Sequence, residues 1–234
     1  MTALRQQADS PGADDWIRLR TDMVALLRAR GIASEAVLDA FLRVPRHLFV
    51  PEIAAGFAYT DGPLDIGFGQ TISQPYMVAA MTEALDLKGG ERVLEVGTGS
   101  GYQCALLAEL AGEVISIERV PELAEAARAR LADAGYDNVT ILTGDGTRGV
   151  KGAVVPADLP PGTRFDAIMV TAGAPEAPAP LLALLAEGGR LVIPEGSRGL
   201  QTLMRYTRTD GKLRRERLMD CMFVPLIGAF GWDG

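Results

Sequence analysis

The sequence predicts an α/β protein: a doubly wound, mostly parallel sheet with helices on both faces, helices before it at the N-terminus and an antiparallel hairpin after it at the C-terminus. Three observations carry that prediction. After Gly89 and Gly90, short apolar runs alternate with helix-length stretches, a pattern that calls for right-handed crossovers and a parallel sheet covered on both faces. The first of these runs ends in Gly97, Gly99 and Gly101, where a strand would pass into a helix. Near the end, QTLMRYT and KLRRERLM flank Thr209, Asp210 and Gly211, an Asp-Gly hairpin signal.

Residues 1–13 are polar and aperiodic and contain Pro11 and Gly12, so they predict a mobile tail. A first helix follows from an Asp14 cap, with Trp16, Leu19, Met23, Leu26 and Leu27 at helical spacing and Gly31 as its stop. Ser34 caps a second helix with Val37, Leu38, Phe41 and Leu42 on its apolar face, and Pro45 ends it. Residues 46–74 hold no period and predict a long functional loop, whose Phe49, Phe57, Tyr59 and Phe68 are expected to pack. Ser73 and Pro75 open a third helix carrying Val78, Met81, Thr82 and Leu85.

The alternating part then predicts strands at 92–96, 113–118, 139–142, 165–171 and 190–194, with helices at 101–111, 121–134 and 178–186. At 234 residues the chain suits one domain, expected over 14–234: a helical and loop part at 14–88, and the ligand-binding sheet with its hairpin at 89–234.

Composition narrows the chemistry. The formal net charge of −7 gives no global attraction to nucleic acid or an anionic membrane. Cys104 and Cys221 are far apart, and His47 is the one histidine, so disulfide scaffolds, cysteine-rich zinc sites, histidine triads, His-rich metal sites and histidine-pair acid–base schemes are excluded. His47 itself, after Pro45, reads as a structural residue at a helix end, and no metal is expected. With no signal segment and no long apolar run, the expectation is a cytoplasmic protein.

The glycine turn reads Glu95-Val96-Gly97-Thr98-Gly99-Ser100-Gly101. A dinucleotide fingerprint would need glycine at position 102, which is Tyr102. An acid just before the first glycine suits a ligand with a positive group, and S-adenosylmethionine carries an ammonium and a sulfonium. Glu118, ending the next strand, could accept from ribose hydroxyls or be a solvated charge; Asp145, between Gly144 and Gly146, could reach an adenine amino group or simply make an Asp-Gly turn.

These segments resemble the class I S-adenosylmethionine-dependent methyltransferases and, more narrowly, the protein-L-isoaspartate (D-aspartate) O-methyltransferases. The narrower resemblance rests on VPRHLFVP (44–51), AYTDGPLDIGFGQTISQPYMVAAMTEAL (58–85), VLEVGTGSGYQCALLA (93–108), GDG (144–146), VTAGAPEAPAPLL (170–182), LAEGGRLVIPEG (185–196) and FVPLIG (223–228). GQTISQP is its most specific segment. Two departures stand out: Asp65 replaces a proline usual in the family, and 147–164 is longer than expected and lacks a tryptophan.

The resemblance implies a Rossmann-like sheet and transfer of a methyl group from S-adenosylmethionine to the free carboxylate of L-isoaspartyl or D-aspartyl residues. Carboxylates are ionised at neutral pH, so a chain with one histidine suits the task. The implied cofactor contacts are Glu95, Gly97, Thr98, Gly99, Ser100, Gly101, Glu118, Asp145 and Gly146. The implied catalytic residues are Ser73 as orienter, with Thr71 and Asp61. From the residues alone, Ser73 could equally be a helix cap, and the third helix start could anchor an anion. The expected partners are isoaspartyl proteins and peptides, with no nucleic acid or membrane and a monomeric state. Two alternatives stay open: a carboxyl methyltransferase dedicated to one peptide or small acid, and a non-catalytic cofactor-binding module.

Overall fold

A computed structural model describes residues 12–153, 160 and 162–234. The predicted tail therefore lies mostly outside the described residues, as does part of 147–164. Helix α1 (Ala13–Ala29) starts two residues earlier than an Asp14 cap implies, because Gly12 is its cap and Asp15 accepts the Gly12 N–H. An acid in the first turn does this work, so Asp14 is inside the helix rather than its cap. Helix α2 (Glu35–Arg43) follows the sequence, with Ser34 Oγ accepting from Val37 N at 3.4 Å. Leu26 and Leu42, expected on the apolar faces, are exposed.

The 46–74 segment is more ordered than a loop. Two 3-10 turns at 46–49 and 52–57 lead to an antiparallel hairpin, β1 (Leu64–Gly67) and β2 (Gln70–Ile72). Its tip places Phe68 at φ +56 and Gly69 at φ +68, the pair of positive angles that a tight hairpin turn requires. Phenylalanine rarely adopts that conformation, so the sequence carries no recognisable turn signal there. Phe49 and Tyr59 are buried as expected, whereas Phe57 and Phe68 are exposed.

Helix α3 (Pro75–Leu85) begins with proline at its first position, where the missing N–H costs nothing. Then come β3 (Arg92–Val96), α4 (Tyr102–Leu110), β4 (Glu113–Glu118), α5 (Pro121–Asp133), β5 (Val139–Thr143) and β6 (Phe165–Val170). The chain closes with α6 (Ala179–Ala183), β7 (Leu185–Ser197), β8 (Leu200–Thr209) and β9 (Lys212–Cys221). The sheet order is β5-β4-β3-β6-β7-β8-β9, parallel from β5 to β7 and antiparallel at β8 and β9. The β8–β9 turn uses Asp210 and Gly211, both at positive φ, as the sequence predicts.

Two further elements differ from expectation. The helix expected at 178–186 is only Ala179–Ala183, and the strand expected from Arg190 begins at Leu185. Leu185 is buried opposite Phe165; the chain then bulges through Gly188 at φ +75 before Arg190 rejoins opposite Ala167. Pairing a buried leucine with the sheet overrides the helical pattern.

Alternate strand residues serve opposite faces. Val93 joins the cluster with α1 to α5, while Leu94 and Val96 join the cluster with Leu181 of α6 and Leu226. The order of strand addition reverses at β3, between β4 and β6, so a crevice opens beyond Val96. Among the described residues, no helix is long and apolar enough to cross a membrane.

Candidate active site

A cleft of about 930 Å³, its open mouth included, lies in that crevice. The loop Gly97–Ser100 forms one wall, Gln70–Ser73 another, and Glu118, Gly146, Thr171 and the strap Phe223–Ile227 complete it. Gly97 is at φ +97, and a Cβ there would overlap Thr171 Oγ1, which donates to Gly97 O at 2.6 Å. Only glycine meets both demands. Gly101, at φ +91, caps α4 and packs against Ala127 of α5 rather than lining the cleft.

Glu118 organises the loop. Its Oε2 accepts from Gly99 N at 2.8 Å and its Oε1 from Val120 N at 2.9 Å, leaving each oxygen a second lone pair. Glu118 is thus held on the cleft wall rather than left as a solvated charge. Thr98 and Ser100 also line the cleft, and Thr98 Oγ1 is hydrogen-bonded to Ser116 Oγ at 2.5 Å.

Glu95 departs from expectation. The sequence sets its charge against a positive ligand group, but the strand pleat turns it to the α4 side, fully buried beneath the loop and off the cleft wall. Its Oε2 accepts from Ser116 Oγ, Oε1 has no partner, and burial pushes its pKa up to about 8. Burial thus favours the protonated form of Glu95, which continues a chain from Thr98 through Ser116.

Asp145 is also set back. Its Oδ1 accepts from Thr147 N and Oγ1, and its Oδ2 from Ala229 N at 2.9 Å, while neighbouring Gly146 faces the cleft. Burial raises its pKa, but these donors outweigh burial and hold the carboxyl below its ordinary value.

On the opposite wall, Thr71 and Ser73 face the glycine loop across the cleft. The cap of α3 is Gln74, not Ser73, and no hydrogen bond among the described residues uses Ser73 Oγ. Asp61 lies behind them: its Oδ1 accepts from Tyr76 N at 3.1 Å, its Oδ2 from Gln74 Nε2 at 2.9 Å, and it pairs with Arg30. Asp61 thereby shapes the loop and occupies the N-terminus of α3, so that helix end is not the free anion anchor the sequence suggests. His47 is outside the cleft, stacked on Trp16 and bonded to Tyr59, and Cys104 is buried with its thiol pKa raised well above normal by burial.

A family model described as protein-L-isoaspartate (D-aspartate) O-methyltransferase matches residues 18–230.

The chain belongs to that family.

Members similar to it include the protein-L-isoaspartate O-methyltransferase of Methanoculleus marisnigri, 51% identical over 95% of this chain and 97% of the relative. That of Syntrophus aciditrophicus is 55% identical over 89% of this chain and 93% of its own. Among solved structures, one assigned as the Plasmodium falciparum protein-L-isoaspartate O-methyltransferase, in complex with S-adenosyl-L-homocysteine, superposes with a TM-score of 0.76 at 31% identity. The match covers 89% of this chain and 98% of that one.

Within this isoaspartyl methyltransferase frame, residue-by-residue reading of the sequence missed two parts of the wall. Thr171 follows β6 and seals the back of Gly97, and the strap Phe223–Ile227 returns from β9 to cover the cleft. FVPLIG is visible in the sequence as an apolar segment after a hairpin, but nothing local to it says which cleft it covers.

Proposed function

We propose that this chain transfers the methyl group of S-adenosylmethionine to the free carboxylate of L-isoaspartyl or D-aspartyl residues in damaged proteins and peptides, the step that initiates their repair. One observation carries the reading: a single cleft joins the hydroxyls of Thr71 and Ser73 to the Gly97–Ser100 loop and the Glu118 carboxylate.

The residues fit the cofactor. The spare lone pairs of Glu118 suit ribose hydroxyls, and Gly146 brings its backbone to the cleft beside Asp145, whose carboxyl is turned to Thr147, Ala229 and Arg148. Thr98, Gly99 and Ser100 complete this wall, while Glu95 and Gly101 support it from behind. When bound, S-adenosylmethionine supplies an electrophilic methyl on a sulfonium and is left as the neutral thioether S-adenosylhomocysteine.

The chain's own task is alignment. A substrate carboxylate is already ionised at neutral pH, so no residue has to remove a proton. Ser73 Oγ and Thr71 Oγ1 donate to that carboxylate and fix the direction from which its oxygen approaches. Asp61 supports both by holding Gln74 and Tyr76. Correct placement is worth roughly 7–11 kcal/mol of barrier as effective molarity. The strap Phe223–Ile227 lines the same space with apolar side chains. The formal charge of −7 supports a protein that does not seek nucleic acid or anionic membrane, and the reading includes a cytoplasmic monomer.

Substrate choice follows from geometry. In an isoaspartyl residue the main chain runs through the side-chain carbonyl and frees the α-carboxylate; in normal aspartate the free carboxylate is one methylene further out. A misplacement of about 1 Å can cost on the order of a hundredfold in rate. A methyl-transfer assay on paired isoaspartyl and aspartyl peptides should give kcat/KM at least about 100-fold higher for the former. Comparable rates overturn the repair reading, and transfer to neither points to a dedicated substrate or a non-catalytic module.

A further inference from the structure

Arg46, in the VPRHLFVP segment, is completely buried, and among the described residues it is the one buried Lys or Arg. Its Nε donates to Ala58 O at 2.7 Å and its Nη2 to Ser73 O at 2.8 Å, and the guanidinium lies over the Tyr102 ring, 4.8 Å from the centroid. Nη1 has no partner, and neither has the buried Tyr102 hydroxyl. No ion pair among the described residues involves Arg46. Asp61 acts on it only through space and is already paired with Arg30. Burial lowers its pKa to about 10, so it stays cationic at neutral pH.

A buried charge is normally matched by a counter-ion, because carbonyl oxygens and an aromatic face replace only part of its hydration. Arg46 sits directly behind the cleft wall: Ser73, which it holds, and Tyr102, which it covers, both line the cleft. Of the other positive groups, the N-terminus of α3 and Arg30 already face Asp61, and Arg119 lines the cleft on the Glu118 side. We propose that Arg46 is a positioning residue of the substrate subsite, which through Ser73 holds the wall in place and supplies the positive field that draws an isoaspartyl carboxylate to the Ser73 and Thr71 hydroxyls. The inference rests on the function proposed above and deepens it by naming the charge that selects an anion. Being buried, this cation is poorly screened by salt, unlike a surface arginine.

The test compares two hexapeptides, one with an isoaspartyl residue and its isoasparaginyl twin, in which a neutral carboxamide replaces the carboxylate. Both are titrated calorimetrically into enzyme saturated with S-adenosylhomocysteine. The wild type should bind the carboxylate at least about tenfold more tightly, with that ratio holding within about twofold from about 50 to about 500 mM salt. In Arg46→Gln, which keeps donors but loses the charge, the ratio should fall below about threefold while affinity for S-adenosylhomocysteine changes little; Arg46→Lys should keep the preference. A folded Arg46→Gln that weakens both peptides equally shows a merely structural role and overturns the proposal. If Arg46→Gln does not fold, the wild-type salt series decides, and a preference that fades with salt overturns it. Wild-type methyl transfer to the isoaspartyl peptide, measured alongside, separates the two readings. Its absence defeats the proposed function, whereas transfer without dependence on Arg46 defeats this inference alone.

Discussion

Asp145 holds the backbone of Ala229: its Oδ2 accepts the Ala229 N–H at 2.9 Å across 84 residues of chain. Thr147 adds a second tie by accepting from Phe230 N at 3.1 Å. Trp232 Nε1 donates to Gly173 O at 3.0 Å just beyond. The loop after β5 is therefore fastened to the segment that directly follows the strap Phe223–Ile227, and the strap is an apolar wall of the cleft. There is no space between them, since a Cβ on Gly228 would overlap Asp145 Oδ1.

Asp145→Ala is expected to loosen the strap. Hydrogen bonds to a charged group contribute roughly 1.5–3 kcal/mol, so opening of this segment should become on the order of 10- to 150-fold more frequent. Native-state hydrogen exchange at Ala229 and Phe230 reads this directly. Protection equal to that of the wild type would show that the strap is held by its apolar contacts alone.

Glu118→Ala should weaken cofactor binding through two losses, the acceptors for ribose and the tether on Gly99 N. The dissociation constant should rise on the order of 10- to 150-fold in a folded protein. Calorimetry with S-adenosylhomocysteine measures it, and an unchanged constant removes Glu118 from the site.

Ser73→Ala should separate catalysis from stability. Because Gln74 is the cap of α3, deleting Ser73 Oγ should leave stability within about 0.5 kcal/mol. The lost donor to a carboxylate should lower kcat/KM for the isoaspartyl peptide on the order of 10- to 150-fold, with cofactor affinity retained. Earlier melting with wild-type turnover would contradict the orienting role.

Glu95 makes stability depend on pH. Burial lifts its folded pKa to about 8 from an ordinary 4.5, so between these values the folded chain holds a proton that the unfolded chain releases. The contribution of this group is complete at low pH and is lost as pH rises towards 8, at roughly 1.4 kcal/mol per unit. Glu95→Gln lacks this slope and should gain on the wild type between pH 5 and pH 8 in urea midpoints. A difference constant with pH would mean that Glu95 is ionised when folded.

Much of the sheet and its glycine loop was legible because both are local. Strand and helix periods appear within a few residues of one another, and the left-handed angles at Gly97 and Gly101 are permitted to few other residues. Asp210-Gly211 is legible for the same reason. The β1–β2 hairpin was not, since Phe68 occupies an angle that its residue type rarely takes. The early start of β7 was not either, because only the burial of Leu185 against Phe165 distinguishes strand from helix there.

By itself the sequence determined the family, the order of elements and the residues from which the site is drawn. The tertiary structure decided which way each of them faces. Glu95 lies one residue from Val96 at the end of β3, yet the pleat turns it away from the cleft and into full burial, which favours its protonated form. Asp61 is turned to the first turn of α3, Asp145 to the strap, and Arg46 to the back of Ser73. None of these assignments is local, since each depends on groups brought together by folding. Burial and partnership set the charge, direction and freedom of a polar side chain, and neither exists until the chain has packed.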